Sequence, residues 1–180
     1  MTNAALVLID IQQGFDHPKW GRRNNPKAEQ KCAIILKFFR DNKLPLFHIQ
    51  HLSTELDSPL RGNPGSKIKA IVEPTKGEVL INKTVNSAFI GTNLKEVLEK
   101  EGIETVIFVG LTTDHCVSTS ARMAGNYGFK AIVISDATAT FDRNFKGKHF
   151  SAKQMHEIAL ASLNNEFAEI MTTKELLKLL

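Results

Sequence analysis

The chain has 180 residues, 42% of them apolar, only six prolines and a formal charge of +4, which fits one globular domain over 1–180 and leaves little room for a second. Its basic residues are scattered, densest at Arg22 with Arg23, Lys67 with Lys69 and Lys146 with Lys148, and a single Tyr offers few stacking platforms, so the charge reads as solvated surface, not as a nucleic-acid footprint. Two cysteines make no disulfide framework, no stretch approaches membrane-spanning length, and the apolar run ending at Asp10 is too short for a secretory signal, so a soluble cytoplasmic protein is expected, with no membrane partner.

The first predicted element is Ala4 to Ile9, an uninterrupted apolar run that suits a strand covered on both faces and ends in Asp10. Asn25-Pro26 predicts a helix start by the cap-then-proline rule, and Ala28, Cys32, Ile35, Leu36 and Phe39 recur on one face up to Asn42. Cys32 belongs to that stripe and reads as packing. A strand over 44–52 is followed by a long loop over 53–77 containing Pro59, Gly62, Pro64, Gly65 and Pro74; loops of that length are usually functional or disordered. A third strand over 78–82 ends in Lys83, and Thr92 is placed to cap a helix through Glu101 that Gly102 stops.

The fourth strand, 105–109, runs into Gly110-Leu-Thr-Thr-Asp-His-Cys116, a strand-to-helix turn followed by a small-residue helix over 117–127. Thr113 or Asp114 would cap that helix. Cys116 sits where unpaired backbone N–H groups and the helix dipole favour a thiolate, the usual setting of a nucleophilic cysteine. A fifth strand over 130–135, a loop, a helix over 151–164, a short strand over 168–171 and a closing helix from Thr173 complete the pattern.

Strands alternating with helices predict a parallel sheet between two helix layers. Ligands bind such sheets beyond the carboxyl ends of the strands, and Asp10, Lys83 and Cys116 each fall at such an end. Three chemically useful groups from distant sequence should therefore meet on one rim. There Asp10 would accept the thiol proton and return it to a leaving amine, Lys83 would favour both ionised forms, and the N–H groups of Thr112 and Cys116 would hold an oxyanion. Asp and Lys at strand ends also form plain ion pairs, so on residue types alone both readings stay open.

Leu8-Ile-Asp10-Ile-Gln12, Lys83 with Ser87-Ala88-Phe89 and Gly91-Thr92 behind it, and Gly110 to Val117 with Arg122 following resemble the isochorismatase-like cysteine hydrolases, from the first strand to about residue 176. The resemblance implies a three-layer α/β/α fold around a mainly parallel six-stranded sheet, a catalytic triad of Asp10, Lys83 and Cys116, and a cis peptide between Leu111 and Thr112 that turns the Thr112 N–H into the oxyanion hole. Nicotinamidase-like members of that family carry an Asp-x-His metal motif after the second strand. Here His51 and Ser53 stand at those positions, so the resemblance implies that the metal is lost and no cofactor is needed. His48 and His51 do not replace the motif readily, since residues three apart on a strand point to opposite faces; they read as a buried or hydrogen-bonded histidine and a rim histidine.

Family members that hydrolyse a vinyl ether by protonation do not need the cysteine, whereas the amidase branches attack a carbonyl with it. Cys116 therefore points to C–N hydrolysis of a small amide, lactam or ureide. The alternatives are vinyl ether hydrolysis with Asp10 as acid, and a thiol-reactive binding or redox-sensing domain without turnover. Candidate substrate contacts are Gln12, Phe15, Trp20, Phe89 and His51, with Phe141 beside them. Gln12 is alternatively a support for Asp10 or the oxyanion site. His115 reads as a local hydrogen-bonder, His149 and His156 lack a visible catalytic partner, and Asp136 reads as structural. The segment 62–67 looks superficially phosphate-binding but lacks the Walker spacing. A homodimer or larger oligomer is expected because Ile68, Ile71 and Val72 of the long loop need cover.

Overall fold

A strand with apolar side chains on both faces can only be buried between two layers, and this is the place β1 (Ala4–Ile9) takes, with all six residues buried. In the computed structural model, which describes residues 3–180, β1 lies inside a six-stranded parallel sheet of order β3-β2-β1-β4-β5-β8. The other strands are β2 (Leu46–His51), β3 (Val79–Lys83), β4 (Thr105–Leu111), β5 (Lys130–Ala139) and β8 (Glu169–Met171). Residues 1 and 2 lie outside the described part of the chain.

Alternation along β1 divides the core. Ala4, Leu6 and Leu8 pack with Cys32, Ile35, Leu36 and Phe39 of α1 (Ala28–Asp41) and Leu176 of α5 (Thr173–Leu179). Ala5, Val7 and Ile9 pack with the other layer: Leu94 and Leu98 of α2 (Leu94–Lys100), Ala121 and Ala124 of α3 (Ser118–Asn126), and Leu163 of α4 (Ala152–Leu163). Cys32 is packing, as its stripe predicts, and its Sγ donates to the Ala137 carbonyl at 3.2 Å. The expected three-layer α/β/α arrangement is the observed one.

Several boundaries differ. Helix α1 starts at Ala28 because Asn25 is not its cap: at φ +43° its side chain reaches away and donates to the carbonyls of Ser135 and Thr138 at 2.9 and 2.8 Å. Helix α2 starts at Leu94, with the Thr92 hydroxyl spanning from the Ala88 carbonyl to the Leu94 N–H. Strand β5 runs four residues past its predicted end, through half-buried Ser135 and Asp136, because an irregularity in its register with β4 absorbs the polar residues. The loop predicted after it holds an antiparallel hairpin, β6 (Arg143–Phe145) and β7 (Lys148–Phe150).

The long loop over 53–77 folds back on the turn after β1. Gly14 and Gly65 meet there, joined by a 2.8 Å backbone hydrogen bond, and a Cβ on either would strike the Pro59 carbonyl. Ile68 and Val72 are buried in the α1-side core. Of the predicted apolar trio only Ile71 is left exposed, so it alone still needs cover.

Candidate active site

In a doubly wound sheet the connections on either side of the central strands diverge and leave a crevice at the carboxyl edge. Here that point lies between β1, which leads to β2, and its other neighbour β4. Asp10 follows β1 directly, Cys116 lies in the turn after β4, and Lys83 is the last residue of β3, in register with His51 on β2. Gly110 makes the junction possible: it has φ +114°, and a Cβ there would sit 2.0 Å from the Ile9 carbonyl oxygen.

The three predicted groups do meet. Lys83 Nζ lies 2.6 Å from Asp10 Oδ2, 3.4 Å from Cys116 Sγ, 3.1 Å from the Val85 carbonyl and 3.2 Å from His51 Nδ1. An ammonium has only donors, so the His51 nitrogen facing it is an acceptor. Both Asp10 and Lys83 side chains are wholly buried, and Asp10 Oδ1 has no hydrogen-bond partner. Burial pushes the Asp10 carboxyl above the usual carboxylate range although Lys83 pulls it back. Burial, and then the neighbouring Lys83 charge, hold His51 below the ordinary histidine range, so it is neutral at pH 7.

Burial also pushes the Cys116 thiol up, with the Asp10 charge acting in the same direction and Lys83 against it. This runs against the thiolate that the turn's amides and helix dipole favour in the sequence reading. At 8% exposure the loss of water favours the neutral thiol over the thiolate. The predicted cap is also absent. Residues Thr113–Val117 form a single π turn in which neither Thr113 nor Asp114 caps α3. The Thr113 hydroxyl pairs with the buried His156 ring at 2.9 Å, while Asp114 accepts from Thr140 and faces Arg143. The Leu111–Thr112 peptide is cis.

Cys116 opens onto a cavity of about 390 Å³ that also reaches Phe15, Trp20, His51, Thr112, Asn86 and Arg143. Phe15 and Trp20, with ring centroids 5.3 Å apart and Phe141 behind both, form one wall. Two predicted contacts are misplaced. Phe89 packs instead against Tyr127 and Phe129 in the α2–α4 layer. Gln12 is sealed off and acts as a clamp: its amide donates to the carbonyls of His51 and Ser66 at 2.9 and 2.7 Å and accepts from the His51 N–H at 2.8 Å. Asn86, Arg143, Thr84 and Glu55 line the cavity without having been singled out, and His115, read as a purely local side chain, joins them. All five come from connections whose paths no periodicity fixes.

Among the described residues no three His, Cys, Asp or Glu side chains are grouped to hold a metal ion. The donor set where the metal motif would stand does not fit one either: the His51 lone pair is taken by the Lys83 ammonium, and Ser53 supplies no charge.

A parallel sheet of this order with its cavity at the switch point is the frame of an α/β/α hydrolase, and the comparisons agree. The Isochorismatase domain profile matches residues 4–175, and the chain belongs to the isochorismatase family of hydrolases. It is 49% identical over 175 residues to the uncharacterized isochorismatase family protein YrdC of Bacillus subtilis, covering 96% of this chain and 94% of that one. The crystal structure of an isochorismatase-family protein from Chromobacterium violaceum superposes with a TM-score of 0.94 at 42% identity, over 98% of this chain and 92% of that chain. Maleamate amidohydrolase of Pseudomonas putida is 29% identical over 188 residues, covering 95% and 84% of the two chains.

Proposed function

We propose that the protein hydrolyses a C–N bond of a small amide through a thioester at Cys116. The observation that carries this reading is the double contact of Lys83 Nζ, at 2.6 Å to the Asp10 carboxylate and 3.4 Å to the Cys116 sulfur, beside a cavity of ligand size. The similarity to an amidohydrolase supports it.

The chemistry follows from the partners. Asp10, whose Oδ1 is open, takes the thiol proton as Sγ attacks the substrate carbonyl. Lys83 offsets the negative charge as it moves between carboxylate and sulfur. The N–H groups of Thr112 and Cys116, at the turn after β4, receive the oxyanion. As the C–N bond breaks, the nitrogen leaves with the proton held by Asp10. Water then attacks the thioester with Asp10 as base, the C–S bond breaks, and the acid and the free thiol are formed. A raised carboxyl pKa makes Asp10 a better proton acceptor than an exposed aspartate.

Ammonia release measured across a panel of small amides tests the reading. The Cys116→Ala protein should lose turnover while staying folded, and intact mass should trap an acyl adduct on Cys116; full activity in that variant overturns it. The raised Asp10 carboxyl also favours a second reading, protonation of a vinyl ether by Asp10, in which Cys116→Ala keeps activity and Asp10→Ala loses it.

A further inference from the structure

Lys83 has more acceptors around it than protons to give. Its Nζ lies 2.6 Å from Asp10 Oδ2, 3.1 Å from the Val85 carbonyl, 3.2 Å from His51 Nδ1 and 3.4 Å from Cys116 Sγ, while an ammonium carries only three N–H donors. One acceptor must therefore go without. Asp10 Oδ2 is an ionic partner at the shortest distance and Val85 offers a backbone carbonyl, so the contest lies between the imidazole nitrogen and the sulfur. A neutral imidazole nitrogen accepts well, whereas a thiol sulfur accepts weakly. While the sulfur is protonated, the third Lys83 proton belongs to His51.

His51 is held where it can keep that proton. It stands on β2 in register with Lys83 on β3, and the buried Gln12 side chain grips its backbone, accepting from its N–H at 2.8 Å and donating to its carbonyl at 2.9 Å. The Gln12 amide also donates to the Ser66 carbonyl at 2.7 Å, so the grip extends to the long loop. The Val85 carbonyl, near enough to the ring to act on it, is engaged by Lys83. Other ionisable groups along the cavity are turned elsewhere. Arg143 faces Asp114 at 3.3 Å, His115 lies 3.7 Å from the same carboxylate, and Glu55 is exposed on the loop after β2.

We propose that His51 is a positioning residue for the nucleophile: it holds the third Lys83 proton while Cys116 is a thiol and yields it to the sulfur when the thiolate forms. This rests on Cys116 acting as the nucleophile but assigns a separate residue and a separate step. The sulfur's own proton goes to Asp10, Lys83 keeps its three protons throughout, and His51 neither gains nor loses one. Only the ammonium turns about its Cε–Nζ bond, so that the N–H aimed at Nδ1 comes to aim at Sγ. A thiolate is a charged acceptor, and bonds to charged acceptors are roughly twice as strong as neutral ones. Each ionisation of the sulfur thus costs the bond to His51, which keeps Cys116 unreactive until a carbonyl is in place to be attacked.

Alkylation of Cys116 by iodoacetamide at pH 8, followed by peptide mass, tests the sharing. His51→Leu removes the acceptor and leaves the third proton to the sulfur, so it should be alkylated at least about tenfold faster than the parent, the change expected for a thiol about one pKa unit more acidic. His51→Asn puts an amide oxygen where Nδ1 stood and is no bulkier than leucine; its rate should stay within about threefold of the parent. Faster alkylation of both variants would mean that the ring merely covers the sulfur, and an unchanged rate in His51→Leu would mean that the proton is not shared; either overturns the proposal. His51→Val, which suits a strand and equally lacks an acceptor, takes the place of His51→Leu if thermal melting shows the latter to be unfolded. Absence of ammonia release from every amide would remove the amidase reading and leave the sharing to be decided by the alkylation rates.

Discussion

Lys83 and Asp10 form a wholly buried ion pair, and the stability of each depends on the other. Removing one partner of such a pair leaves a bare charge in a dry interior, which costs about 3–5 kcal/mol, whereas removing both is far milder. Lys83→Met should therefore be destabilised by that amount in urea titrations, and Asp10→Asn with Lys83→Met should be less destabilised than the sum of the single changes. The same burial governs the sulfur. Because the Cys116 thiol is pushed up, its alkylation by iodoacetamide should be slow at neutral pH and should accelerate as pH rises beyond 9, while Cys32, at 1% exposure, stays unlabelled; peptide mapping across the pH range decides this. The residue types and strand-end positions of Asp10, Lys83 and Cys116 were readable in the chain. Their protonation was not, because it depends on how much water the folded rim excludes, and no spacing encodes that. Arg143 was invisible for a related reason: it comes from a polar connection whose return to the rim is fixed by Asp142 and Arg22, contacts far apart in sequence.

At the scale of elements, legibility followed burial on two faces. Strands β1 and β4 announce themselves as continuous apolar runs, since every side chain in them is buried. Strand β5 breaks that pattern at Ser135 and Asp136 and was cut short there, although its pairing resumes at Thr138 and Ala139 opposite Gly110 and Leu111. The irregularity and Gly110 belong together. The β4 backbone approaches β1 so closely that no side chain fits, and this approach brings the Cys116 turn beside Asp10. Gly110→Ala should therefore cost more than about 4 kcal/mol or prevent folding, because it adds a backbone clash at 2.0 Å to an unfavourable φ. Gly128→Ala is the control. It shares a positive φ, +91°, but its Cβ meets nothing within 4 Å, so only the backbone term remains, on the order of 1–2 kcal/mol. Equal midpoints for the two variants in urea would show that close packing of β4 on β1 is unimportant.

Across the whole molecule, the site depends on three connections staying in place: the turn after β1, the start of α1 and the long loop before β3. Glu29, in the first turn of α1, joins them. It accepts from Arg23 at 2.7 and 2.6 Å and from Lys69 at 2.8 Å, and Lys69 also pairs with Asp16. Burial pushes the Glu29 carboxyl up, but the hydrogen bonds from Arg23 and Lys69 outweigh it and hold the group at about 2. A carboxyl depressed by folding binds its proton more readily in the unfolded chain, so its contribution is complete above the unfolded value near 4.5 and is lost as pH falls toward 2. With the Glu29 side chain 12% exposed, the loss is on the order of 3 kcal/mol. Glu78, held at about 2 by Arg40, gives a parallel acid loss that is present with or without Glu29. The difference between the parent and Glu29→Gln therefore isolates the network. Urea midpoints taken from pH 6 down to pH 2 should converge, the parent losing its advantage below about pH 4.5 while Glu29→Gln follows the shallower slope set by the other depressed carboxyls, Glu78 and Asp114 among them. Two curves that fall in parallel would mean that the connections around the rim are held by packing alone.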